Sequence, residues 1–308
     1  MSRIIGKYEG KERGPLIICF GAMHGNEPAG VKAIDAVLKL LDVEPIKNPD
    51  FAFKGNFIGL IGNLKAYVAG KRFINKDLNR QFLAPYIKEL QKKDKHALEG
   101  EEEELVELIE LINAEITTYQ PEQLIILDLH TTSSMGGIFS ICQNEERVIS
   151  LAKALHAPVV LGMLENLQGT TLHYFTSKNT GVDTISLTFE SGQHNEQLSI
   201  NRAVAGILCC MRELGCVQKS DVENYHEERL IAHTKSLPKL TNLIERYHID
   251  ENNKFKMLPG FENFQKIQKG ETLAMNGDVK INAKESGRIL MPLYQKQGED
   301  GYFIVKEI

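Results

Sequence analysis

The residues of this chain best suited to chemistry are dispersed: His24 and Glu27 in GAMHGNE, His130 in LDLH, and Glu190 in FESGQ. Each follows an apolar run that reads as a buried strand, so strand ends would carry all four side chains to one edge of a sheet. A catalytic zinc takes about three protein ligands from histidine and carboxylate and leaves a further position for water. His24, Glu27 and His130 are the residues that meet this requirement. The ordinary reading of a histidine or glutamate at a strand end is a hydrogen-bonded loop residue. Against it stand Gly21, Gly25 and Gly30, which allow a tight, closely approached loop between the ICF run and a helix starting near Pro28. Core packing alone does not demand such a loop.

A second polar stretch, NLKAYVAGKRFINKDLNRQF, lies where a compact fold normally has a short connection. Arg72 and Arg80 can grip a carboxylate through two guanidinium nitrogens, and Asn79 adds an oriented donor, so the stretch suits a small anionic substrate. The alternative is a surface loop whose arginines pair with some of the chain's many glutamates.

Alternating strand and helix patterns in the first part of the chain predict an α/β layer structure. Strands are expected over 16–20, 57–61, 124–129, 138–142, 159–161 and 184–189. A helix is expected after the Glu101–Glu104 run, with Leu105, Leu108, Ile109, Ile112 and Ile116 on its apolar face. The glutamates themselves read as a solvated helix start facing the positive end of the dipole. A further helix over about 195–214 closes a first domain, 1–216. Beyond it, short apolar runs broken by Gly, Asn and Pro predict a smaller, mainly β domain, 217–308.

Taken together, HGNE, KRFINKDLNR, LDLHTTSS and FESGQ resemble the aspartoacylase and succinylglutamate desuccinylase family, a branch of the zinc carboxypeptidase-like hydrolases. The motifs stand in family order from residue 24 to residue 190. The resemblance implies a three-layer α/β/α domain with a mixed sheet, and a β-rich carboxy-terminal domain over the site mouth. It makes His24, Glu27 and His130 the ligands of one zinc ion and Glu190 the carboxylate that activates water. Arg72 would polarise the scissile carbonyl, Asn79 and Arg80 would hold a substrate carboxylate, and Tyr302 in GYF would contact substrate. Asp128 either buttresses His130 or makes ordinary loop hydrogen bonds, and His194 lies close enough in sequence to Glu190 to be of interest. The chain departs from the aspartoacylase pattern in one respect. HYFTSKNTGVDTISLTFE contains no arginine to grip an aspartate side chain, and Lys178 is the only nearby substitute. The implied substrate is a small N-acyl amino acid, N-acetylaspartate-like or N-succinylglutamate-like.

Composition sets outer bounds. A hydrophobic content of 42% over 308 residues supports a full core, and a net charge of −5 gives no overall footprint for nucleic acid or an anionic membrane. The first residues, MSRIIGKYEG, lack a signal-like apolar core, and no stretch nears the roughly 18 apolar residues of a membrane span. Cytoplasmic residence is therefore expected, with no nucleic-acid or membrane partner and a homo-oligomer left open. Cys19, Cys142, Cys209, Cys210 and Cys216 show no paired spacing, which predicts buried reduced thiols and argues against a cysteine-held metal. The competing functions are a carboxypeptidase, which needs an open cleft, and a catalytically silent metal- or small-molecule-binding protein, which needs neither Glu190 nor Arg72.

Overall fold

The computed structural model describes residues 1–250 and 254–308. The strands of the amino-terminal half are β1 (Ile4–Glu9), β2 (Glu12–Gly21), β3 (Lys54–Ile61), β4 (Gln123–Thr132), β5 (Ile138–Cys142), β6 (Val159–Leu161) and β7 (Asp183–Gln193). The carboxy-terminal part adds β8 (Leu240–His248), β9 (Phe255–Met257), β10 (Lys266–Ile267), β11 (Thr272–Asn276), β12 (Val279–Asn282), β13 (Gly287–Leu290) and β14 (Asp300–Glu307). The six expected strands coincide with or lie inside β2 to β7; β1, an edge strand without a fully buried residue, is not among the expected ones.

One large mixed sheet runs in the order β1-β3-β2-β4-β7-β5-β6-β8-β14-β13-β10, and β12-β11-β9 form a small antiparallel sheet of their own. The central strands β2, β4 and β7 are parallel and buried on both faces, hence their near-continuous apolar runs. Alternate residues go to opposite layers. Ile17, Cys19, Ile125 and Leu127 pack in the core that holds residues of the helices Ala29–Lys47, Glu146–Ala154 and Gln197–Glu213. Leu16, Ile18, Phe20, Leu124 and Ile126 share a second core with residues of the helices Ala84–Leu90 and Glu101–Tyr119. This is the expected three-layer α/β/α arrangement. The large sheet continues past residue 216 through the parallel pairing of β6 with β8 and the antiparallel pairing of β8 with β14. All five cysteines are buried free thiols. No helix among the described residues is long and apolar enough to cross a membrane.

Register positions the chemistry. In the β4–β7 pairing, His130 lies beside Glu190 and Asp128 beside Thr188, so neighbouring strands present these residues side by side. β5 runs antiparallel to β7 and sets Ile141 opposite Thr188. Thr188, Glu190, His130 and Ile141 all line one cavity at this edge.

Candidate active site

His24 follows β2 in a loop, residues 22–28, that leads into the helix Ala29–Lys47. The turn is tight enough to hold Ala22 at a φ of 52°, a region that side-chain-bearing residues seldom adopt. A Cβ on Gly25 would meet backbone atoms of Ala66 and Tyr67 at 2.1 to 2.4 Å, so glycine is required where the helix Leu64–Ala69 passes. The Gly25 amide also donates to the Arg72 carbonyl at 3.1 Å, which ties the histidine loop to the arginine loop.

The centre is a chain of alternating carboxylates and imidazoles. His24 Nδ1 lies 2.9 Å from Glu27 Oε1, and His130 Nδ1 lies 3.2 Å from Glu27 Oε2. The outer nitrogens face two aspartates: His24 Nε2 is 3.2 Å from Asp77 Oδ1, and His130 Nε2 is 3.1 Å from Asp128 Oδ2. The contact between His130 and Asp128 is close but poorly aligned, and leaves His130 Nε2 without a true hydrogen bond. One ligand atom from each of His24, Glu27 and His130 falls within 4.8 Å of the others, all three residues being buried. A metal-binding histidine commonly turns its second ring nitrogen to a carboxylate, which fixes the tautomer and ring orientation. The donor set therefore fits a zinc ion, with Asp77 and Asp128 behind the two imidazoles.

Charge in this cluster is strongly coupled to burial. Burial would raise the Glu27 carboxyl, but His24 and His130 hold it well below the usual carboxylate range. Burial would likewise lower His130, and Asp128 with Glu27 instead raises it well above an ordinary imidazole. Glu190 behaves differently. Burial pushes it up to about 8, with Glu27 and Asp128 adding to the rise while His130 and Arg72 oppose it. Its Oε2 is buried and has no hydrogen-bond partner.

Asp77 is the residue that sequence reasoning missed. It caps the short 3-10 turn Leu78–Arg80, accepting from the Asn79 amide at 2.9 Å, and takes Arg72 Nη2 on its other oxygen at 3.0 Å. Together with its His24 contact, it fixes three of the expected site residues at once. Burial alone would raise it; His24 and Arg72 bring it well below the usual range. Its position two residues before Asn79, as a capping acid, was the available signal. Thr171 was missed as well. Its amide donates to Asn79 Oδ1 at 3.0 Å and its hydroxyl to Asp128 Oδ2 at 2.6 Å, joining the two halves of the site.

The loop bearing Arg72, Asp77 and Asn79 hangs from the acidic helix start. Contrary to the solvated reading of that run, Glu101 and Glu104 are only 1% and 2% exposed. Glu101 accepts from the amides of Ile74, Asn75 and Lys76 at 2.6, 2.9 and 3.1 Å and from Asn63 Nδ2 at 3.1 Å. Glu104 accepts from the Leu64 amide at 2.6 Å and pairs with Arg3 at 2.9 Å.

His24, Glu27, His130, Glu190, Arg72, Asn79 and Arg80 all line one cavity. Arg80 pairs there with Asp300 at 3.1 Å, and Asp300 also takes Arg246 Nε at 2.7 Å. Tyr302 is not brought to the cavity. A register shift between Asp300 and Tyr302 leaves Asp300 and Phe303 lining it, while Tyr302 is buried in the core of Leu273 and Ile289 with its hydroxyl on Glu245 at 3.2 Å. Lys178 is exposed on the short helix Ser177–Thr180 and does not reach the cavity. His194 stands behind the wall, 2.7 Å from the Thr131 hydroxyl and 3.3 Å from Gln295.

Residues 13–214 match the family model described as the succinylglutamate desuccinylase/aspartoacylase catalytic domain. The chain belongs to this family. A probable aspartoacylase from Nostoc sp. is 31% identical over 126 residues, a match that covers 41% of this chain and 38% of that protein. Among solved structures, a succinylglutamate desuccinylase/aspartoacylase from Rhodobacter sphaeroides aligns over 96% of this chain and 87% of its own, at a TM-score of 0.65 and 17% identity. The succinylglutamate desuccinylase of Vibrio parahaemolyticus aligns over 97% and 82%, at 0.61 and 16%. The product-bound ectoine utilization protein EutE of Ruegeria pomeroyi aligns over 97% and 87%, at 0.64 and 15%. These structural likenesses carry the fold, and the family model carries the membership.

Proposed function

We propose that the protein hydrolyses the amide bond of a small N-acyl amino acid with the help of one zinc ion held by His24, Glu27 and His130. When bound there, zinc lowers the pKa of a water to about 7 and polarises a carbonyl. The observation that carries the reading is Glu190: a buried carboxyl with an unpartnered oxygen, lining the same cavity as the His24, Glu27 and His130 cluster. Mere metal binding has no use for it.

On this reading the positive charge of a bound zinc would favour the ionised form of Glu190, which accepts the proton of the attacking water and delivers it to the leaving nitrogen. Arg72 is held near Glu27 and Asp77 and supplies positive charge where the tetrahedral oxyanion forms, a contribution of about 3 kcal/mol per donor. Asn79 and Arg80 hold the substrate carboxylate. The Thr171 amide fixes Asn79 Oδ1, which leaves the Nδ2 donor for substrate. Met291, Leu293, Gln295 and Phe303 wall the cavity from the carboxy-terminal part, which favours small substrates over a long peptide. We keep 1–216 and 217–308 as the proposed division, the second part closing the site.

The test is hydrolysis of N-acyl amino acids with zinc supplied and with zinc chelated, beside Glu190→Gln. The variant should retain zinc and lose turnover by about 10²-fold or more, the scale of a lost general base. Near-normal hydrolysis by a zinc-loaded variant would remove Glu190 from the mechanism.

A further inference from the structure

Resting on the proposed hydrolysis, we infer that the amino acid released carries an apolar side chain, such as that of methionine or leucine, and no second carboxylate. The cavity is divided in chemistry. Beyond the polar end lies a wall that includes Met163, Leu164, Leu167, Leu172, Met291 and Phe303. All six belong to, or pack against, a single apolar cluster.

The cavity has few cations, and each already faces a carboxylate. Arg72 and Arg80 are the only lysine or arginine side chains among its described lining residues. Arg72 is held by Asp77 and Glu27, and Arg80 by Asp300. Glu27, Glu190, Glu299 and Asp300 give the same lining four carboxylates. One substrate carboxylate can be met by Arg80 and Asn79. A second would face apolar side chains or other carboxylates, and an unpaired buried charge is strongly disfavoured.

The wall adjoins the amino acid end of the substrate, not the acyl end. Gly169 accepts from the Phe82 amide at 2.9 Å, and the Thr171 amide donates to Asn79 Oδ1 at 3.0 Å. A Cβ on Gly169 would lie 2.2 Å from the Arg80 carbonyl oxygen. The segment carrying Leu167 and Leu172 is thus fastened directly to the proposed carboxylate grip. The group nearest that grip in an N-acyl amino acid is the α-carbon and its side chain.

The experiment compares kcat/KM for N-acetyl-L-methionine, N-acetyl-L-leucine, N-acetylglycine and N-acetyl-L-aspartate on the zinc-loaded protein, then repeats the set with Leu164→Ala. Leu164 is only partly buried, so the variant should fold, as its melting curve will show. Methionine and leucine substrates should exceed aspartate by at least 10-fold, and Leu164→Ala should cut the preference for methionine over glycine by roughly 10-fold. Aspartate equal to or better than methionine overturns the inference and leaves the proposed hydrolysis standing. Equal rates across the four substrates, with no dependence on the side chain, overturn it too. Failure to hydrolyse any N-acyl amino acid removes the reading on which it rests.

Discussion

Replacing Glu101 with alanine should weaken both stability and catalysis, although this side chain lies outside the cavity. Its carboxylate accepts three backbone amides, those of Ile74, Asn75 and Lys76, and the Asn63 amide group. Hydrogen bonds to a charged partner are worth roughly 1.5–3 kcal/mol each. Asn75 and Lys76 are exposed, so water can replace much of what they lose, and the net destabilisation should be about 3 kcal/mol. For a chain of this size that is a fall in melting temperature on the order of 5 °C. Because the loop also carries Arg72, Asp77 and Asn79, kcat/KM should drop by roughly 10-fold or more, as misplacement of about 1 Å does. Glu101→Gln should retain about half of that contribution. The pH dependence has a definite sign. Burial opposes ionisation of Glu101, but its amide partners hold its pKa below 4.5, so its stabilisation is full above about pH 4.5 and is lost as pH falls through the folded value. The melting-temperature gap between wild type and Glu101→Gln should therefore narrow in acid. Thermal melts at pH 6 and pH 3.5, with kinetics at neutral pH, provide the assay. A Glu101→Ala protein with unchanged melting temperature and unchanged kcat/KM would refute the idea that the helix start holds the loop.

Two further outcomes are expected. Arg80→Ala should raise KM first, because a carboxylate grip acts in ground and transition states alike, whereas Arg72→Ala should lower kcat first; near-wild-type kinetics for both would make them ordinary ion-pair residues. Gly25→Ala should destabilise the protein by about 2 kcal/mol, since its methyl group would meet the Ala66 backbone at 2.1 Å, and should disturb metal affinity through His24; a melting curve and metal titration matching wild type would show that the loop can move aside.

The parts of the fold visible in the sequence are those whose signal is local. The buried runs LIICF, LIILDL and TISLTF announce parallel central strands, and the polar residues that follow them announce the sheet edge. The pairing of His130 with Glu190 across β4 and β7 is a matter of register, which no local pattern contains. The same limit hid Asp77: its partner His24 belongs to a loop brought near only by the fold. Glu101 and Glu104 look solvated because runs of glutamate usually are, yet their targets are backbone amides and Arg3, which composition does not display. Tyr302 shows how a strand irregularity defeats motif transfer. The shift beside Asp300 sends Tyr302 into the core opposite the cavity and Phe303 toward it. The continuation of the large sheet through β8, β14 and β13 likewise depends on long-range pairing.

The central claim is that His24, Glu27 and His130 form the metal centre of a hydrolase. Its most direct test is the metal content of the purified protein beside a His24→Ala, His130→Ala double variant, each equilibrated with zinc and freed of loosely bound ions. The account predicts one tightly bound zinc per wild-type chain and little in the double variant. Stoichiometric, tightly held zinc in the double variant would place the ligands elsewhere, and a wild-type chain with no zinc affinity would contradict the account outright.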